Sequence, residues 1–358
     1  MVKNFFKNFA NYLMKADMIL WLLLAAISVY SLLLLRSVDS STGSSYFRTQ
    51  LVAIVLGVVG AVILSLLDYA TLANFWYLLG GASIFLMIYT ALFGDQVLGS
   101  GGVNARAWIQ IGGSTFQTSE AVKIAFILTF SKHLDTLRKR EWINRPLHVV
   151  LLGCHALVPM LLCELQGDTG AAIVFFSMFL AMSLAAGVKL RYFAILGGLV
   201  LIALPLLWQF GMDEYQKLRF IALFNLDDPN IRMDAGYQQY QGRISIGSGK
   251  LTGQGLFHGS RVASNSVPFQ QSDYIFSVVG EELGFVGCSL ILLLLLLFMA
   301  KVLHVAQTAR DDLGKYICFG YFGIIALQSI SNIGMCLALL PAMGVTLPFF
   351  SAGGSSAI

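Results

Sequence analysis

Apolar residues in this chain come in long runs, separated by shorter clusters of charged residues, glycine and proline. Nine runs are long and apolar enough to cross a bilayer, at roughly 18–36, 50–67, 72–93, 118–134, 146–163, 169–187, 191–211, 273–300 and 314–340. Each predicts a membrane-spanning helix. Pro159 and Pro205 fall inside runs, where neighbouring helices can satisfy the carbonyls they free. Between the seventh and eighth runs lie residues 212–272, about sixty in all, too long an interval for a mere connection.

Composition agrees with the pattern. The 358 residues are 57% hydrophobic and only 12% charged, with a mean hydropathy of +0.75, far from a soluble composition. The expected fold is an all-α polytopic membrane protein with nine transmembrane helices. A segment 1–17 precedes a single transmembrane domain over 18–358, with the loop 212–272 inside it.

A net charge of +4 says little, but its placement orients the chain. Lys3, Lys7 and Lys15 precede the first run, and Lys132, Arg138, Lys139, Arg140 and Arg145 lie between the fourth and fifth. Lys189 and Arg191 follow the sixth; Lys301, Arg310 and Lys315 follow the eighth. By the positive-inside rule these ends are cytoplasmic, as is the N-terminus. Loops near 37–49, 94–117, 164–168 and 212–272 then face outward. The first run is too long for a cleavable signal peptide and has no small-residue cleavage site after it. Ahead of it, Phe5, Phe6, Phe9, Tyr12 and Leu13 among three lysines suit an anchor in the inner headgroup layer. Cys154, Cys163, Cys288, Cys318 and Cys336 lie in or at the ends of runs and read as small apolar residues. His148 and His155 read as packed or interfacial, so no protein-built metal site is expected.

Candidate chemistry concentrates on the outward side. Asp273 stands at the mouth of the eighth run, followed by Glu281 and Glu282 in SDYIFSVVGEELGFVG. Helix capping is a sufficient account of a lone aspartate there. On a continuous helix Glu281 would lie about 12 Å further along and about 80° round, so the two cannot form a close carboxylate pair. Glu120 and Lys123 are spaced to share a helical face and pair, either neutralising each other or marking a functional path. Gln166 and Asp168 add polar groups in CELQGDTG, where Asp168 could equally cap the next helix. In the long loop, GSGK lacks the glycine and the Ser/Thr of a phosphate-binding loop, so its glycines predict turns or close backbone approach. After the ninth run, Pro341, Pro348 and Gly353-Gly354 predict an outer re-entrant or loop segment.

The ordered set WIQIGGSTFQTSEAVK, QGDTG, YQQYQGRISIGSGKLTGQG, SDYIFSVVGEELGFVG and LLPAMGVTLPFFSAGGSS resembles the SEDS family of bacterial cell-wall proteins, which includes RodA and FtsW. The resemblance runs from about the first span to the last residue. Some positions depart from the family pattern: Thr118 replaces the proline of QPSE, Gly167 the proline of QPD, and Gln271, Ser272 and Tyr274 alter HTDF. Arg106, Glu120, Lys123, Asp168 and Asp273 are retained. Family members carry ten spans, so the resemblance implies a tenth that these residues do not contain.

The resemblance further implies polymerisation of the lipid-linked disaccharide-pentapeptide lipid II into glycan strands on the outer face of the cytoplasmic membrane. Asp273 matches the family's essential aspartate and would be the general base, a role worth about 10² to 10⁴ in rate. Arg106, Glu120, Lys123, Asp168, Arg219 and Gln238 would bind substrate. Of these, Arg106, Lys123 and Arg219 would offset the pyrophosphate charge, Glu120 would orient Lys123, and Asp168 would shape the cavity. A divalent cation, Mg or Mn, bridging phosphate oxygens is compatible, with no organic cofactor. The implied partner is a class B penicillin-binding protein. The short N-terminal segment and RodA-like first half point to elongation over division. From other classes, a lipid II flippase would line a path with the polar residues of the fourth and eighth spans, and a non-catalytic scaffold would leave the outer charges unexplained.

Overall fold

The computed structural model describes residues 17–98, 104–111 and 114–353, so the anchor expected over 1–16 lies outside the described residues. The first helix, α1 (Met18–Thr42), shows how the spans are built. Asp17 caps it by accepting from the Leu20 amide at 3.3 Å, and Gly43 ends it in a left-handed turn at φ 69°. Ile27, Tyr30, Ser31, Leu34, Leu35 and Val38 form a buried stripe at helical spacing. The opposite face leaves Leu22 65% and Val29 57% exposed, as a lipid-facing surface should.

The chain continues through α2 (Tyr46–Ser65), a short α3 (Tyr69–Asn74) and α4 (Trp76–Phe93). Strands β1 (Asp95–Leu98), β2 (Asn104–Ile111) and β3 (Ser114–Gln117) follow as an antiparallel sheet in that order. The sheet lies in the outward loop 94–117, between spans, and the transmembrane part is all-α as expected. Next come α5 (Thr118–Lys139), α6 (Pro146–Leu165), α7 (Thr169–Ala185) and α8 (Leu190–Leu206), the last running into a π-helical turn. The interval 212–272 folds into α9 (Glu214–Ala222), α10 (Pro229–Met233), α11 (Tyr237–Ser248) and α12 (Ser260–Ala263). The chain then makes α13 (Ile275–Glu282), α14 (Gly284–Gln307) and α15 (Asp312–Cys336).

Seven of these helices are long and apolar enough to cross a membrane on their own. The two other expected spans are α5, which carries several charges, and α7, apolar but only 17 residues long. Each of the nine runs is therefore helical, and the chain is a multi-pass membrane protein. The eighth differs from expectation: the run 273–300 is not one helix but α13 and α14, broken at Leu283 and at Gly284, where φ is +63°.

Helix α15 holds the bundle together. Ile325, Met335 and Cys336 pack into a core with α1, α13 and α14, while Tyr316 and Ile324 pack into a second core with α4 to α7. Small residues let α15 and α7 approach closely: a Cβ on Gly323 would lie 3.1 Å from the Met178 Cα, and Ser177 donates to the Gly323 carbonyl at 2.9 Å. Contacts between loops obey the alternation of spans. At the basic end, Lys301 meets Asp17 at 2.6 Å and Tyr69 donates to Asp311. At the other end, Ser37 donates to Glu282 and the Arg106 amide to the Gln166 carbonyl.

Candidate active site

The site at the end opposite the basic loops grows from residues 337–353, which form neither helix nor strand. Helix α15 ends at Leu337, Ala338 turns with φ 54°, and Pro341 and Pro348 prevent the helix resuming. Carbonyls left unpaired in a buried segment must find donors. Gln239 of α11 donates to the Leu340 carbonyl at 2.7 Å, Arg219 of α9 to Ala342 at 2.8 Å, and Asn332 of α15 to Val345 at 2.8 Å.

The same Asn332 amide nitrogen donates to the Asp273 carbonyl at 2.7 Å, and the Cys336 thiol approaches that carbonyl at 3.6 Å. Ser351 donates to the Ser272 carbonyl at 2.6 Å, and the Ala352 amide to Gln271. Asp273 is thereby fixed through its backbone, with 6% of its surface exposed. The residue before the first turn of α13 is Tyr274, which makes no side-chain cap bond.

Asp168 lies across the 342–345 segment. It caps α7 by accepting from the Ala171 amide at 3.0 Å, and its other oxygen accepts from Gln117 at 2.7 Å and Ser119 at 3.4 Å. Capping and tertiary bonding thus coexist. Two residues on, Gly170 abuts the hub so closely that a Cβ there would sit 2.7 Å from the Met343 carbonyl. Lys123 and Glu120 pair at 2.7 Å on α5, with 4% and 17% of their side chains exposed. They follow directly on Gln117 and Ser119, the two residues that donate to Asp168.

Residues 340–345 therefore link Arg219, the Asp168 end of α7 and the Asp273 backbone, and Lys123–Glu120 stand beside Asp168. Arg106 is exposed on β2, joined to this corner by its backbone bond to Gln166. Gln238 is not drawn in: it is half-buried on α11 and its side chain makes no hydrogen bond among the described residues, whereas its neighbour Gln239 is fully buried. Sequence reasoning missed Gln239 and Asn332. An asparagine inside an apolar run was the available signal for the second.

Glu281 and Glu282 serve the helix break. Both are fully buried; Glu281 accepts from the Arg261 amide at 2.6 Å, and Glu282 from Ser37 at 2.6 Å. The loop after α11 packs against the break with almost no clearance. Gln254 and Gly255 amides donate to the Glu281 and Glu282 carbonyls, each at 2.9 Å, and Phe285 and Val286 amides return bonds to Lys250 and Leu251. Gly249 and Gly253 of GSGKLTGQG thus permit close backbone approach, as expected.

With this arrangement in view, the comparisons with known proteins are decisive for the family. The profile of the cell cycle protein family FtsW/RodA/SpoVE matches residues 11–358. A probable peptidoglycan glycosyltransferase FtsW of Geobacter metallireducens is 30% identical, with 96% of this chain and 91% of that protein covered. The peptidoglycan glycosyltransferase MrdB of Escherichia coli K12 is 31% identical over 96% of this chain and 90% of its own. Among solved structures, a chain from work on the structural coordination of polymerization and crosslinking by a peptidoglycan synthase complex superposes with a TM-score of 0.78. It is 27% identical, with 95% of this chain and 93% of that one covered. This polytopic membrane protein belongs to the FtsW/RodA/SpoVE family. Identities of 30% to FtsW and 31% to MrdB do not separate a division role from the elongation role expected above.

Proposed function

We propose that this chain is a peptidoglycan glycosyltransferase that polymerises lipid II on the outer face of the bacterial cytoplasmic membrane, with Asp273 as general base. The observation that carries the assignment is the convergence on residues 340–345 of the Asp273 backbone, the Arg219 guanidinium and the Asp168 end of α7. The Asp273 carboxylate takes the proton of an acceptor sugar hydroxyl as its oxygen attacks the donor's anomeric carbon. The bond from that carbon to the pyrophosphate oxygen breaks, and undecaprenyl pyrophosphate leaves with the electron pair. Positive charge aimed at the leaving group stabilises that step. Arg219 and Arg106 supply it, and Lys123 does so less fully because Glu120 already pairs with it.

Among the described residues no three His, Cys, Asp or Glu side chains gather, and both Asp168 oxygens already accept hydrogen bonds, so a divalent cation would be held mainly by the substrate's phosphates and would supply positive charge there. A class B penicillin-binding protein is the proposed partner, following the polymerization and crosslinking ascribed to the complex of the structural relative.

The broken span favours one rival reading, a flippase, since discontinuous helices build transporter sites. In those sites the freed carbonyls face a cavity. Here the Glu281 and Glu282 carbonyls are taken by loop amides, which favours the polymerase. The test is lipid II polymerisation by purified protein with its transpeptidase partner, comparing wild type with Asp273→Ala and Asp273→Asn. Product from wild type alone is expected. Equal product from folded mutants would overturn the base assignment, and lipid II movement without polymer would favour the flippase.

A further inference from the structure

Two loops at the basic end, 139–146 and 186–190, are stitched together by one residue. Asn144 donates to the Gly187 carbonyl at 3.2 Å, accepts from the Lys189 amide at 2.8 Å, and offers its own carbonyl to the Tyr192 hydroxyl at 2.8 Å. The stitch gathers cations. Arg140 and Arg145 both lie on the Trp142 ring, 5.1 and 5.2 Å from its centroid, and Arg191 lies 4.9 Å from that of Tyr192. Arg138 reaches Gly187, where a Cβ would be 3.4 Å from its guanidinium.

Electroneutrality is not met within this cluster. Arg138, Arg140, Arg145, Lys189 and Arg191 are exposed, and none forms an ion pair among the described residues. The acids nearby are Asp135, already paired with Lys139 at 2.8 Å, Glu141, which makes no ion pair, and Asp311 and Asp312 at the start of α15, of which Asp311 accepts from the Tyr69 hydroxyl; four acids against six cations leave the cluster positive. A guanidinium resting on an aromatic face keeps N–H groups for oxygen acceptors, in the fork that matches a phosphate; Arg191 gives one of its N–H groups to the Tyr192 hydroxyl at 3.2 Å and keeps the others. Directly along the chain from the cations, Leu147 is 67% and Leu190 73% exposed, at the ends of lipid-facing helices α6 and α8.

We infer that this stitched cluster is a binding site for an anionic phospholipid of the adjacent leaflet. Its phosphate is held by Arg140, Arg145 and Arg191, and its acyl chains lie along the α6 and α8 surfaces. A preference for positive charge inside would scatter cations over the loops without fixing them to aromatic faces or to one another. The charge and the apolar flank together fit a lipid rather than a soluble phosphate.

The protein, reconstituted in vesicles of equal phosphatidylglycerol and phosphatidylcholine, is released into the gas phase and its retained lipids counted by native mass spectrometry. Wild type should retain phosphatidylglycerol preferentially, and each of Arg140→Gln, Arg145→Gln and Arg191→Gln should weaken that preference about fivefold. Asn144→Ala keeps every charge but releases the stitch, and it should also lose most of the preference. Arg310→Gln, at the same end but outside the cluster, should not. Full retention by Asn144→Ala would mean that charge alone acts and would overturn the built site. So would displacement of the lipid by millimolar inorganic phosphate, or equal retention of both lipids by wild type.

Discussion

Gly247 and Gly249 sit two residues apart at the end of α11, yet replacing each with alanine should act in opposite directions. A Cβ on Gly247 meets nothing within 4 Å. Alanine there removes a helix-disfavouring residue and should be neutral or stabilise by up to about 1 kcal/mol. On Gly249 the Cβ would lie 1.9 Å from the Gly280 carbonyl oxygen and 2.7 Å from that of Glu281. Ordinary carbon–oxygen contacts begin near 3.3 Å, so α11 and α13 must part by more than about 1 Å. Because the obstacle is backbone, no rotamer change relieves it.

Overpacking of this kind costs about 1–3 kcal/mol. The shift also strains the four bonds between 250–255 and 281–286, each worth about 1 kcal/mol. If two are lost, Gly249→Ala destabilises by about 3–5 kcal/mol, a fall in apparent Tm of roughly 4–7 °C. Tryptophan fluorescence of detergent-purified protein during a thermal ramp reads this directly. Since Gly280 rides on the helix that follows Asp273, polymerisation per folded molecule should fall as well. A Gly249→Ala protein melting within about 1 °C of Gly247→Ala would refute the close approach.

Asn332→Ala removes the donor shared by the Asp273 and Val345 carbonyls and leaves both buried; a loss of about 3 kcal/mol and of most polymerase activity is expected, measured by melting and by glycan product. Tyr274→Phe deletes a buried hydroxyl that has no partner among the described residues, so Tm should rise, by the equivalent of about 1–2 kcal/mol. A rate that falls while Tm rises would place that hydroxyl in the chemistry. The hydrogen bond and ion pair to Lys301 hold the Asp17 carboxyl below its ordinary value of 3.8. Its stabilisation is present above that value and is lost as pH falls through the depressed one. The Tm gap between wild type and Asp17→Asn should therefore close on acidification below about pH 4.

Hydropathy alone made the helices legible, and the spacing of Glu120 and Lys123 allowed the pair seen at 2.7 Å. The break at Gly284 was not legible: Glu281 and Glu282 mark the place, but what bends the chain is a loop packed against it from about thirty residues upstream. Gln238 and Gln239 show a second limit. Adjacent residues on a helix point about 100° apart, and only the position of Leu340 decides which of them faces the site. Asn332 shows a third, for its two acceptors lie 59 and 13 residues away.

The three donors that reach residues 340–345 come from α9, α11 and α15, and each satisfies a different carbonyl of one segment. A segment that contains a proline and no regular structure cannot satisfy itself, so its shape is whatever the three donors jointly impose. Their contributions should then be coupled rather than independent. In a double-mutant cycle, Gln239→Ala and Asn332→Ala should together cost less than the sum of the single losses, because once one donor is gone the segment has already moved from the other. Additivity within about 0.5 kcal/mol would mean the segment is held rigidly by something else. It would also remove the ground for treating Arg219 and Asp273 as members of a single site.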